Sequence, residues 1–237
     1  MGRAVVTGAG RGLGRAIAER LARDGHEIVA VDLDGDAAQA AAAAVGGSGH
    51  RCDVADAEAV RALAAEVGPV EILVNNAGIW TYGSLLEAAE DDVDRVWAVN
   101  LRGTLNCCRA FAPGMAAAGR GAIVNLSSVA AAMAATSVEV YPVTKGAVET
   151  LTRQLALELG PSGVRVNAIG PGSMLTEGTA PSYEGEKAAQ RAALVPLRRI
   201  GTPRDIANAV GFLVSEDASY ISGQIIYVDG GITAANR

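Results

Sequence analysis

Thr7-Gly8-Ala9-Gly10-Arg11-Gly12-Leu13-Gly14 runs straight from a short apolar stretch at residues 4–7 into a helical pattern that begins at Gly14. A chain that leaves a strand, turns on glycines and enters a helix sets free backbone N–H groups and the positive end of a helix dipole beside a surface the backbone can approach closely. That arrangement suits a phosphate. The spacing is T-G-x-x-x-G-x-G rather than G-x-G-x-x-G, and an ordinary turn could use the same residues. Its place between a strand and a helix is what points to a nucleotide.

The pattern on either side is consistent. Strand-like runs at 4–7, 27–31, 51–52, 71–74, 122–126, 165–169 and 224–228 alternate with helical stretches at 14–23, 36–45, 57–67, 92–118, 143–159 and 204–214. Most of the strands are continuously apolar rather than alternating, which is the mark of parallel strands covered on both faces. This predicts an α/β fold: one Rossmann-like doubly wound parallel sheet of about seven strands with helices on both faces, in a single domain over 1–237. The stretch from 173 to about 202 lacks clear strands and reads as a lid over a site.

Composition narrows the function. Half of the 237 residues are hydrophobic and 19% are charged, so a sizeable core is available and disorder is not expected. A net charge of −6, with both signs scattered, argues against nucleic acid or an anionic membrane as partner. No apolar run is long enough to span a bilayer and no leader pattern is visible, so a cytoplasmic protein is expected. Cys52, Cys107 and Cys108 have neither zinc-site nor disulfide-framework spacing and read as free thiols. His26 and His50 precede the second and third strand patterns, away from the cleft expected at the strands' C-terminal ends. A metal site or a Ser-His-Asp hydrolase therefore lacks its parts, and there is no G-x-S-x-G elbow.

Several strand ends converge on that cleft. Asp32 closes the second strand at the distance from the glycines expected of a carboxylate that bonds ribose hydroxyls. It would repel a 2′-phosphate, so NAD is favoured over NADP. Arg11 is the counter-signal, since a base in the glycine turn could hold that phosphate. Asp53 and Val54 close the third strand, where Asp53 could accept from an adenine amino group, and Asn75-Asn76-Ala77-Gly78 closes the fourth. Tyr141 and Lys145 stand four apart near a helix start, hence on one face. A neighbouring ammonium should lower the phenol's ordinary value near 10 and make Tyr141 an acid–base group, with Ser128 able to hold a substrate oxygen. Pro142 suits the first turn of a helix but disfavours the α region for Tyr141, which places Tyr141 at the helix boundary.

In this order along the whole chain, these residues resemble the classical short-chain dehydrogenase/reductase family. The glycine motif is Thr7 to Gly14, N-N-A-G is Asn75 to Gly78, and Y-x-x-x-K is Tyr141 to Lys145, with Ser128 at the family's separation from the tyrosine. Asn100 matches the family's active-site asparagine, Pro171-Gly172 with Thr176 its nicotinamide-contacting segment, and Asp229-Gly230-Gly231 a structural C-terminal signature.

The resemblance implies an oxidoreductase that moves hydride between NAD(H) and a secondary alcohol or ketone. In that scheme Tyr141 exchanges the proton, Lys145 binds the nicotinamide ribose, Ser128 holds the substrate oxygen and Asn100 supports a water in a proton relay. Gly8, Arg11, Gly12, Leu13, Gly14, Asp32, Leu33, Asp53, Val54, Asn76, Ala77, Gly78, Pro171, Gly172 and Thr176, with Tyr141 and Lys145, would contact the cofactor. The alternatives are a 3-oxoacyl-(acyl-carrier-protein) reductase-like NADPH enzyme and an idle NAD-binding scaffold or sensor. Residues 79–82, 130–140 and 173–195 should line the substrate side. The run Ala130-Ala131-Ala132-Met133-Ala134-Ala135 suggests a hydrophobic substrate. Relatives imply a homotetramer through the helices at 92–118 and 143–159.

Overall fold

The continuous apolar runs form parallel strands in a computed structural model that describes residues 2–133 and 138–235. In chain order the strands are β1 (Arg3–Thr7), β2 (Glu27–Asp32), β3 (Ser48–Arg51), β4 (Ile72–Asn75), β5 (Gly121–Leu126), β6 (Val164–Pro171) and β7 (Ile225–Val228). They make one sheet in the order β3-β2-β1-β4-β5-β6-β7, and every pairing is parallel. The helices are α1 (Gly12–Arg23), α2 (Gly35–Ala43), α3 (Ala57–Val67), α4 (Glu90–Trp97), α5 (Gly103–Ala118), α6 (Val129–Ala132), α7 (Tyr141–Leu159), α8 (Glu186–Leu194) and α9 (Pro203–Val214).

Alternation along β1 explains why both faces must be covered. Ala4 and Val6 face a core built with Ile17 and Leu21 of α1 and Ile206, Val210 and Leu213 of α9. Val5 faces the opposite core, with Val60 and Leu63 of α3 and Phe111 and Met115 of α5. Each fully buried Leu, Ile, Phe or Met contributes about 1.5–3 kcal/mol relative to exposure. No helix among the described residues is long and apolar enough to cross a membrane.

Five differences from the sequence reading bear on the site, beside shifts of one or two residues at other element ends. The third strand is Ser48–Arg51, so His50 lies within it, paired with Val31. Helix α1 begins at Gly12, two residues earlier than Gly14. Helix α7 begins at Tyr141 rather than residue 143, and Pro142 sits in its first turn, where no N–H is needed. The helix expected over 92–118 is divided into α4 and α5 by a π-helical turn, Ala98–Arg102. Inside that turn the Asn100 carbonyl accepts from Thr104 Oγ1 at 2.8 Å, while its side chain bonds the backbone of Ile79. Such competing partners widen the helical ladder. The stretch 173–202 carries α8 and a 3₁₀ turn, Ala180–Tyr183, so it is not a bare loop. Ala134 and Ala135 of the expected apolar wall lie outside the described residues.

Candidate active site

Strand order changes direction between β1 and β4, and at such a switch point the connections diverge to opposite faces and leave a crevice. Thr7 and Asn76 hold its floor. Thr7 Oγ1 accepts from the backbone N–H groups of Asn76 and Ala77, both at 3.1 Å. Asn76 Nδ2 donates back to the carbonyls of Thr7 and Gly8 at 2.9 and 3.0 Å. These reciprocal bonds fix the glycine turn against the end of β4. Gly14 is needed because a Cβ there would lie 2.1 Å from the Gly8 carbonyl oxygen, and Gly12 because its φ is +56°. The start of α1 therefore borders the crevice as an anion cradle, with the Gly12 N–H bonded to Glu177 Oε2 at 3.1 Å.

Asp32 lies at the lip of this cradle. Its Oδ2 accepts from Gly10 N at 2.9 Å and its Oδ1 from Asp34 N at 3.1 Å. A carboxylate has about four lone-pair sites, so acceptors remain for a pair of ribose hydroxyls. Asp53, at the end of β3, is oriented by Ala55 N at 2.9 Å. A cleft of about 660 Å³ joins these groups to Arg11, Leu13, Leu33, Val54, Ala77, Gly78, Pro171, Gly172 and Thr176, and its far wall carries Ser128, Tyr141 and Lys145. Shape, glycine cradle and terminal carboxylate fit a dinucleotide. Two of the expected site residues do not line the cleft. Gly14 is packed beneath the turn, and Asn100 is wholly buried.

Asn100 acts on a wall of the site rather than facing it. Its Oδ1 accepts from Ile79 N and its Nδ2 donates to Ile79 O, both at 2.8 Å, with a further bond to Thr144 Oγ1 at 3.1 Å. One amide thus joins the π turn, the loop after β4 and the helix that carries Tyr141 and Lys145. Both polar atoms of the side chain of Asn100, the residue that the resemblance assigns to supporting a relay water, have protein partners.

Ser128 caps α6 by accepting from Ala130 N at 3.1 Å. Lys145 is 4% exposed, and its Nζ donates to Leu126 O at 2.8 Å while standing 5.6 Å from the Tyr141 ring centroid. Burial holds the Lys145 ammonium down to about 8. Burial also pushes the Tyr141 phenol above its ordinary value, against the opposing hydrogen bond with Ser128. The sequence reading expected the ammonium to lower the phenol. Desolvation of the phenol outweighs every stabilising contact that the protein itself supplies.

Further contributors come partly from the segments expected on the substrate side and partly from residues without a sequence signal. Trp80 meets the Tyr141 ring edge-on, with centroids 6.5 Å apart, and lines the cleft beside Met174 and Tyr183. Thr81 Oγ1 donates to the Glu139 carboxylate, and Glu139 itself adopts φ +43° two residues before Tyr141. Buried Ser127 donates to Glu149 at 2.8 Å, and Tyr227 donates to the same carboxylate at 2.8 Å, tying β5, α7 and β7 together behind the site. Glu149 pushes the Tyr227 phenol up, together with the larger effect of burial, to about 12. Asp229 accepts from Gly231 N, Thr233 N and Thr233 Oγ1, and so folds the C-terminal turn. The three cysteines are buried and free, and burial pushes all three thiols up, Cys108 to about 12.

The chain is similar to known proteins over most of its length. A family model described as enoyl-(acyl carrier protein) reductase matches residues 8–233. D-threitol dehydrogenase of Mycolicibacterium smegmatis is 41% identical, over 97% of this chain and 92% of its own. The 3-oxoacyl-(acyl-carrier-protein) reductase of Staphylococcus aureus is 40% identical, over 97% of each chain. A solved Beutenbergia cavernae structure, described as an NAD(P)-dependent gluconate 5-dehydrogenase with NADP bound at low occupancy, superposes with a TM-score of 0.91. It is 39% identical, with 98% of this chain and 97% of that one covered.

Proposed function

The chain belongs to the classical short-chain dehydrogenase/reductase family, and from that membership we propose that it interconverts a secondary alcohol and a ketone with NAD(H). One observation carries the reading: Ser128, Tyr141 and Lys145 share a single cleft with the glycine cradle and the Asp32 carboxylate. A bound nicotinamide supplies or accepts the hydride. The protein's own groups hold the substrate and move its proton. Ser128 orients the reacting oxygen, and the Tyr141 phenol exchanges a proton with it. Lys145 brings positive charge near that phenol and presents donors to the cofactor ribose. With its pKa raised, Tyr141 is protonated at neutral pH, the form that can donate to a carbonyl oxygen.

Trp80, Met174 and Tyr183 support a largely apolar substrate wall. The segment 173–202 is read as a lid over it. Exposed Leu157 and Val143 on α7 support assembly as a homotetramer, which light scattering would test.

Initial rates over a panel of secondary alcohols and ketones, run with both cofactors, test the proposal. Turnover with NAD(H) preferred is expected. Preference for NADP(H) would overturn the Asp32 reading, and absence of turnover across the panel would overturn the activity. A second reading, a 3-oxoacyl-thioester reductase using NADPH, is favoured by Arg11 on the cleft wall beside Asp32. Faster turnover of a 3-oxoacyl thioester with NADPH than of any panel ketone with NADH would select it.

A further inference from the structure

Glu177 is the only charged residue between Ser173 and Thr179, the segment that reaches over the mouth of the cleft. Its Oε2 accepts from Gly12 N at 3.1 Å, a contact spanning 165 positions in the chain. Gly12 is the first residue of α1, so its N–H has no partner inside the helix and lies at the positive end of the dipole. If the cleft takes a dinucleotide, as proposed above, the pyrophosphate competes for this same helix end. One N–H cannot serve both anions fully.

A second position for the carboxylate is available nearby. Glu177 borders both the large cleft and a neighbouring cavity of about 310 Å³ whose wall includes Arg15. Arg15 lies one turn further along α1 and bonds Glu19 through Nε at 3.2 Å. A guanidinium offers further donors to a displaced carboxylate.

The turn that carries Glu177 is internally braced. Thr179 Oγ1 donates to Met174 O at 2.6 Å and accepts from Thr176 N at 2.9 Å. Gly178 packs close to Trp80, since a Cβ at position 178 would lie 3.6 Å from that ring. Trp80 in turn meets Tyr141. Glu177 thus sits on a braced turn that contacts the substrate wall.

We propose that Glu177 is an internal competitor for the pyrophosphate-bearing cofactor: its carboxylate latches the 173–179 segment onto the start of α1, and cofactor binding releases it. This rests on the dinucleotide reading of the cleft. A latched fraction of molecules lowers apparent affinity in proportion to the fraction that is open. A surface carboxylate at a helix N-terminus corresponds to about a two- to fivefold effect.

Fluorescence titration of the full chain with NADH, NADPH and ADP tests it, using wild type, Glu177→Ala, Glu177→Gln and the nearby surface control Glu184→Gln. Glu177→Ala is expected to bind its preferred nucleotide and ADP about two- to fivefold more tightly, with Glu177→Gln between it and wild type and Glu184→Gln unchanged. Equal affinity in wild type and both Glu177 variants overturns the latch while leaving the cofactor reading intact. Equal tightening by Glu184→Gln assigns the effect to general surface charge and also overturns the latch. Failure of the wild type to bind any of the three nucleotides overturns the cofactor reading, and the latch with it.

Discussion

The two ends of the cleft are built by different means. At the end formed by β1, β2 and β4, strand ladders set the backbone in register, and the groups facing the cleft are backbone N–H groups and short side chains next to strand ends. Thr7, Asn76 and Asp32 each bond backbone atoms there. At the other end Trp80, Thr81 and Glu139 come from loops and their contacts join distant parts of the chain, while Glu177, also from a loop, reaches across to Gly12 of the glycine turn. The first construction ties chemistry to local sequence pattern. The second leaves room to change substrate without disturbing the cofactor end.

The sharpest test of that division is Tyr141→Phe. Removing the hydroxyl should lower kcat by about 10²–10⁴-fold, the range for a lost acid–base group, while NADH affinity stays within about twofold. A variant that keeps near-wild-type turnover would remove the phenol from the chemistry. Loss of NADH affinity in step with kcat would show the two ends to be one unit. A paired glycine experiment comes next. Gly14→Ala forces a Cβ to within 2.1 Å of the Gly8 carbonyl oxygen, whereas Gly178→Ala meets only Trp80 at an ordinary 3.6 Å. Thermal melts should show Gly14→Ala destabilised by about 3 kcal/mol and Gly178→Ala changed by less than about 0.5 kcal/mol. Similar melting points for the two would break the contrast.

What could be read from sequence follows the same division. Five of the seven strands carried apolar runs because they are covered on both faces, the edge strand β7 is apolar though only half-buried, and the glycine turn and Asp32 stand at the strand ends the pattern marks. The third strand, Ser48-Gly49-His50-Arg51, is an edge strand with one neighbour and little apolar content, so its pattern was displaced toward Arg51 and Cys52. The π turn was invisible because helical periodicity cannot reveal that Asn100 bonds Ile79 from 21 positions away. Spacing placed Tyr141 and Lys145 on one face. It could not reveal that Lys145 is buried and Tyr141 half-buried, and desolvation decides the direction of both pKa shifts. Glu177 on Gly12 and Glu139 on Thr81 depend on tertiary placement alone.

Lys145 gives a pH-dependent prediction of intermediate size. Burial lowers its ammonium from an ordinary 10.5 to about 8 in the folded protein. Below pH 8 both states are protonated, and the folded state bears the full cost of the buried charge, on the order of 3 kcal/mol at ~1.4 kcal/mol per unit. Between about pH 8 and 10.5 the unfolded chain holds the extra proton, so this group's contribution to stability rises with pH. Lys145→Met removes that cost and also a hydrogen bond to Leu126 O worth about 1 kcal/mol. The variant should therefore be about 1–2 kcal/mol more stable than wild type at pH 7, about 2–8 °C in Tm, with the gain vanishing toward pH 10.5. A gain independent of pH, or a lower Tm at pH 7, would contradict a strongly desolvated ammonium. An accompanying loss of turnover would place the cost of the buried charge on the functional side of the molecule.

The smallest expected effect concerns the loop-built end. Glu139 holds a left-handed backbone conformation, φ +43°, that a non-glycine residue adopts at a cost, and its carboxylate accepts from Thr81 beside Trp80. Strain of that kind persists only where surrounding contacts fix it, and here the carboxylate lies against Thr81 and Gly83 in the loop that follows Trp80. Against the apolar surfaces of Trp80 and Met174, one carboxylate oxygen can discriminate substrates that carry a second hydroxyl. In Glu139→Ala the ratio of kcat/KM for a vicinal diol to that for a mono-alcohol of equal carbon number should fall about three- to tenfold, the worth of one hydrogen bond. NADH affinity should not change, because no group of the glycine cradle touches Glu139. An unchanged ratio would assign Glu139 to shaping the entry into α7 alone. A fall in NADH affinity would mean that the two ends of the cleft are coupled through Trp80.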